Sequence, residues 1–242
     1  MKSTLTACLL AAFCAGLAAS PLALADGKPA ELTQSAKRYQ QFFNEASNEF
    51  NVPVELLEAI AYAETRWHPH VAKGQLRKNG EPEIEAGSHD GMPPSYGIMG
   101  LRDDSYFGHS LSQGAALIRV SPAQAATDTR SNIRAAAALL SQQSARKTRA
   151  FPLEDWEDAV AKYSGIPQRE IAQIYTYEIL TAIRQGRSGG EYKVSQKQVD
   201  MEKVYGRDKL RKLSARRIMI ETGVPDPKIS VPDFVDPPAK NK

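Results

Sequence analysis

Glu64 is the residue around which chemistry can be built. It follows an unbroken run, Pro53-Val54-Glu55-Leu56-Leu57-Glu58-Ala59-Ile60-Ala61-Tyr62-Ala63, and opens the segment Glu64-Thr65-Arg66-Trp67-His68-Pro69. Pro53 suits a first helical position, where its fixed φ helps and its missing N–H costs nothing. Leu57, Ile60 and Ala61 form the inward stripe, and Glu64 comes four residues after Ile60 on the same side. A carboxyl on a buried stripe loses hydration, so its pKa rises and it keeps its proton near neutral pH. That is the state of a general acid. The same position also admits a helix-end carboxylate that turns to solvent.

The elements that must position Glu64 read as helices, and the fold class is mainly α. Residues 30–49 form an amphipathic pattern with Leu32, Tyr39, Phe42 and Phe43 as packing residues. Asp128 or Ser131 can cap a helix through Ile133 and the alanine run Ala135-Ala136-Ala137-Ala138, which favours helix and close approach. Residues 152–163 form a further helix stopped by Gly165 and Pro167, and residues 171–184 another before Gly186. No run of alternating strand residues stands out. Residues 72–94 have neither period and read as a long irregular loop. Ser188-Gly189-Gly190 marks the expected edge of the globular unit, with residues 194–221 as one more helix. The five prolines from Pro225 to Pro238 then give an extended tail.

Composition narrows the function. Lys2, the apolar run 9–19 and Ala23-Leu24-Ala25 read as an export signal over residues 1–25, too short for a membrane span. Both cysteines, Cys8 and Cys14, fall within it, so the mature chain has no disulfide or thiol chemistry. The organisation expected is residues 1–25 as signal, 26–187 as the main domain and 188–242 as a helical extension with a proline-rich tail. Net charge is +3 for the whole chain, and one less once Lys2 is removed. A nucleic-acid binder would show a concentrated basic face. The basic stretch from Lys209 to Arg217 reads as a solvated helix face. His68, His70, His89 and His109 match no usual zinc spacing, so neither metal nor cofactor is expected.

Four short motifs occur in order: Glu64-Thr65-Arg66-Trp67-His68-Pro69, then Ser95-Tyr96-Gly97-Ile98-Met99-Gly100-Leu101, then Asn132-Ile133, then Ala159-Val160-Ala161-Lys162-Tyr163-Ser164-Gly165. Together they resemble the transglycosylase SLT domain family of bacterial lytic transglycosylases, related to goose-type lysozyme. That family shows Glu-Ser-x-Phe/Trp-x-Pro, Ser-x-Gly-Leu-Met-Gln, Asn-Ile and Ala-Tyr-Asn. The resemblance covers residues 42–186 and is nearest to the transglycosylase-like segments that precede amidase domains in some cell-wall hydrolases. It implies a lysozyme-like helical domain acting on peptidoglycan strands outside the cytoplasm, with a cell-wall enzyme or an amidase domain as its partner. Glu64 would be the catalytic acid and base. Ser95, Tyr96, Gly97 and Met99 would line the sugar cleft, and Tyr163 would reach toward the Glu64 carboxyl. Asn132 would tie the helices around the site. Thr65 stands for the usual Ser and keeps the hydroxyl, Gly100 stands for Gln, and Ser164 stands for Asn.

Glycoside cleavage ordinarily uses two carboxyl groups, one as acid and one as nucleophile or base. A lytic transglycosylase, as the resemblance implies, uses one: it protonates the leaving oxygen, then takes the proton of the MurNAc C6 hydroxyl and closes a 1,6-anhydro ring. The bond would be MurNAc-β-1,4-GlcNAc. Two alternatives remain. A hydrolytic muramidase would take its second carboxylate from Glu81, Glu83, Glu85 or Asp90, which also read as solvated loop charge. A glycan-binding module without turnover would follow from the departures at Gly100 and Ser164. Asp103 and Asp104 read as turn or cap residues. Trp67 and Trp156 read either as sugar-stacking rings or as core.

Overall fold

The structure is a computed structural model that describes residues 31–69, 75–76, 82–83, 94–145, 147–215, 219–220 and 229–230. Residues 1–25, expected as an export signal, with Cys8 and Cys14, the acids Glu81, Glu85 and Asp90, His70, His89 and the proline-rich tail lie outside the described residues. The fold is mainly helical, as a lysozyme-like domain requires. In chain order come α1 (Gln34–Phe50), α2 (Val54–Thr65), β1 (Gln75–Leu76), β2 (Pro82–Glu83), β3 (Ser95–Tyr96) and β4 (Leu101–Arg102). Next are α3 (Ser110–Leu117), α4 (Pro122–Thr127), α5 (Thr129–Gln143), a 3₁₀ turn at Leu153–Trp156, α6 (Glu157–Tyr163) and α7 (Arg169–Gln185). The chain continues through β5 (Arg187–Gly189), β6 (Tyr192–Val194), α8 (Met201–Leu213), β7 (Met219–Ile220) and β8 (Ile229–Ser230). The strands pair as four short antiparallel ribbons.

Helix α5 is the central element, with α1, α3, α4 and α6 packed around it. Its start is set by Asp128, whose carboxylate accepts the Ser131 N–H at 2.8 Å and so satisfies one of the unpaired first-turn donors. Ala135 to Ala138 then give its neighbours room: Gly114 of α3 sits so close that an added Cβ would stand 3.0 Å from the Ala135 methyl. Phe43, Leu56, Leu57, Ile60, Ile98, Leu101, Ile133, Leu139 and Leu140 make one continuous apolar core.

Both tryptophans belong to that core. Trp156 is fully buried, and Trp67 donates its Nε1–H to the Glu58 carbonyl at 3.0 Å while its ring packs on Phe43.

Two expectations are corrected by tertiary contacts. The glycines expected to mark the edge of the unit instead build a hairpin, Arg187–Gly189 against Tyr192–Val194, joined by the two-residue loop Gly190-Glu191. The helix expected over residues 194–221 is confined to Met201–Leu213, where Asp200 caps it by accepting the Lys203 N–H at 2.9 Å, and Gly206 interrupts it with non-helical φ 70° and ψ 164°. The residues before it, 195–200, are not helical, and Ser195 is tied elsewhere: its N–H donates to Glu58 Oε2 at 2.6 Å. Val194, Val199, Met201, Tyr205 and Leu213 are buried in the same core. Packing therefore runs past residue 187 without a break.

Candidate active site

Helix α2 delivers Glu64 in its last turn. The helix ends immediately afterwards because Arg66 and Trp67 both take left-handed backbone conformations, φ 54° and 63°. Their N–H groups close the end by donating to Tyr62 O at 3.0 Å and Ala61 O at 3.3 Å. Consecutive left-handed residues that are not glycine cost energy, and the burial of the Trp67 indole offsets it. This stop holds Glu64 at the carbonyl end of the helix, where the aligned peptide dipoles oppose a negative charge.

The Ser95–Leu101 segment forms the facing wall. Ser95 pairs with Arg102 and Tyr96 with Leu101, leaving Gly97 to Gly100 as a tight turn. Asn132 of α5, fully buried, organises it: its Oδ1 accepts the Met99 N–H at 2.9 Å, and its Nδ2 donates to Tyr96 O at 3.2 Å and Ala125 O at 2.8 Å. Thr65 Oγ1 lies 2.9 Å from Ile98 O and 3.0 Å from Ala61 O, so the hydroxyl next to Glu64 fastens α2 to the turn.

Gly100, at φ 63°, sits under the Glu64 side chain: an added Cβ would come within 2.7 Å of Glu64 Cδ. Gly97 is pressed in the same way against the Asn132 amide.

The Glu64 side chain is half-buried. Loss of hydration raises its pKa above the ordinary carboxylate value, and the Tyr175 hydroxyl and the positive Arg102 pull it partly back. The Tyr175 hydroxyl is shut off from solvent and has no other partner; it lies within reach of the carboxyl, outside a fully formed hydrogen bond. Burial, followed by the nearby Glu64, holds the Tyr163 and Tyr175 hydroxyls well above the usual phenol range, so both remain protonated donors.

The residues expected at the site gather there, with some roles exchanged. The Tyr163 hydroxyl donates to the Met99 carbonyl at 2.6 Å instead of to Glu64, and Tyr175 takes the place beside the carboxyl. The Met99 side chain is fully buried, and Ser95 and Gly97 are buried too, so of the four expected cleft residues Tyr96 keeps the most accessible surface. Ser164 bonds locally, donating to Ala161 O at 2.7 Å and accepting the Ile166 N–H at 3.2 Å. Asp104 is a turn residue, its Oδ1 accepting the N–H groups of Tyr106 and Phe107.

Tyr175 and Arg102 are the site residues that sequence reading missed. The one signal for Tyr175 was its hydroxyl on an otherwise apolar stripe, a group that needs a polar neighbour once buried. Among the described residues, no group of three His, Cys, Asp or Glu side chains is placed to hold a metal ion.

The transglycosylase SLT domain model matches residues 41–181. A protein named membrane-bound lytic murein transglycosylase F 2, from Alkalilimnicola ehrlichii, is 34% identical over 68 residues, which cover 26% of this chain. The chain spans 15% of the length of that relative. No solved structure matches at a significant level. Since the family model covers more than half of the chain and includes all four motifs, the chain belongs to the transglycosylase SLT domain family.

Proposed function

We propose that the chain is an exported peptidoglycan lytic transglycosylase in which Glu64 acts alone as acid and then as base. The observation that carries this reading is the setting of Glu64: burial raises its pKa, and among the described residues the groups that act on it are Tyr175 and Arg102, with no carboxylate among them. A carboxyl that burial keeps protonated is suited to donate a proton. Its proton goes to the bridging oxygen of a MurNAc-β-1,4-GlcNAc bond as the C1–O bond breaks. The resulting carboxylate then accepts the C6 hydroxyl proton while O6 bonds to C1, which gives 1,6-anhydroMurNAc without consuming water.

The departure at Gly100 fits this reading better than a glycan-binding module without turnover. A side chain there would compete with the Glu64 carboxyl for space, so the glycine serves the acid.

Mass spectrometry of the products from purified peptidoglycan tests the proposal. Products lighter by one water than reducing muropeptides, absent with Glu64→Gln, are expected. Reducing ends would replace it with the muramidase reading.

A further inference from the structure

The loop between β4 and α3 carries a feature that the acid site does not use. Its centre is closed on itself: Asp104 and Gly108 exchange both backbone hydrogen bonds at 3.0 Å, and Asp104 Oδ1 accepts the N–H groups of Tyr106 at 2.8 Å and Phe107 at 2.7 Å. On this rigid loop the Tyr106 side chain is 53% exposed, the highest value among the large exposed hydrophobic residues described. Singly exposed aromatic rings are ordinary on protein surfaces. This one differs in being fixed. Its ring packs edge-on against Phe107, centroids 4.7 Å apart at 79°, and its hydroxyl lies 3.1 Å from Gln168 Nε2 and 3.4 Å from Oε1.

The loop also borders the site from two directions. The Arg102 guanidinium, which acts on Glu64, stands 4.5 Å over the Phe107 ring. The Phe107 carbonyl lies against Gly165, two residues after the Tyr163 that bonds to Met99.

A fixed aromatic face with an amide at its edge suits the apolar C–H face of a pyranose, whose hydroxyl and acetamido groups then meet the amide. Because the ring is already held, little side-chain freedom remains to be lost on binding.

We propose that Tyr106, with Gln168 beside it, is a glycan subsite that stacks one N-acetylhexosamine ring of the strand. This rests on the transglycosylase reading for the identity of the sugar. The test uses the full mature chain carrying Glu64→Gln, titrated calorimetrically with the N-acetylglucosamine tetramer, alongside turnover of peptidoglycan by the chain with Glu64 intact. Tyr106→Ala is expected to weaken tetramer binding by roughly 3–10-fold and to raise KM by a similar factor with kcat held, and Tyr106→Trp to restore both. Unchanged affinity and KM in Tyr106→Ala would overturn the subsite, as would absence of tetramer binding with Tyr106 in place. If the tetramer binds through Tyr106 while peptidoglycan is not cleaved, the subsite stands and the reaction falls.

Discussion

The Glu64 carboxyl occupies the space where any side chain replacing Gly100 would stand. The acid and the glycine therefore form one device: the turn from Gly97 to Gly100 is shaped to receive the end of α2. Gly100→Ala should strain a φ of 63° and push Glu64 aside. A stability loss of about 1–2 kcal/mol and a fall in kcat of roughly 100-fold are expected from thermal melts and peptidoglycan turnover. Gly100→Gln installs the residue type usual in the family and should be at least as damaging. Retained activity in that variant would mean that the turn adjusts and that the close approach is incidental.

Glu64→Gln should remove cleavage and raise the melting temperature at neutral pH. The sign follows from burial. The folded-state pKa is raised, so the protonated acid is favoured by folding at low pH, and that advantage is lost as pH rises through the folded pKa. At neutral pH the wild type carries this disadvantage, and an uncharged amide does not. The difference in melting temperature should shrink below pH 4.5, the ordinary carboxyl value. A constant difference across pH would place the Glu64 carboxylate in water.

The pH dependence of kcat/KM separates the two tyrosines. With Glu64 as the proposed acid, activity needs it protonated, so the alkaline limb reports its pKa. The Tyr175 hydroxyl lowers that pKa, hence Tyr175→Phe should move the limb to higher pH, and Arg102→Met should move it the same way. Tyr163→Phe should leave the limb in place, because that hydroxyl is spent on the Met99 carbonyl; its cost should appear as lower stability, about 1–3 kcal/mol. Equal shifts in the Tyr163 and Tyr175 variants would merge their roles.

What could be read from sequence follows how local each cause is. Helix α2 was legible from its period, and α5 from Asp128 and the alanine run, because caps and periodic stripes act within a few residues. The place of Glu64 in the last turn of α2 was legible for the same reason. Tyr175 was not, because its place beside the carboxyl depends on how α7 crosses α2, a relationship that no spacing along the chain encodes. Gly100 was read as a departure from the family's Gln that favoured a binding module, and only the geometry shows that a side chain there would meet the Glu64 carboxyl. The segment after Gly189 was misread as a boundary because each strand of its hairpin has three residues, too few to show a period of two.

The buried Glu58 carboxylate accounts for the hold on that segment. It accepts the Ser195 N–H at 2.6 Å and a bond from the Gln40 amide, joining α1, α2 and the chain beyond β6. Burial raises its pKa and these bonds offset part of the rise. Glu58→Ala leaves a cavity and an unpaired, partly buried N–H, so a loss of about 2–4 kcal/mol is expected. Glu58→Gln keeps an acceptor for Ser195 and sheds the buried charge, so it should be near neutral at pH 7. Because the folded pKa is raised, wild-type Glu58 favours folding most below the ordinary carboxyl pKa, and the Gln variant should compare worst there. Hydrogen exchange at Ser195 gives the local readout: faster exchange is expected in Glu58→Ala and slow exchange in Glu58→Gln. Equal protection in both would show that the hairpin and the buried Val194, not the carboxylate, hold the extension in place.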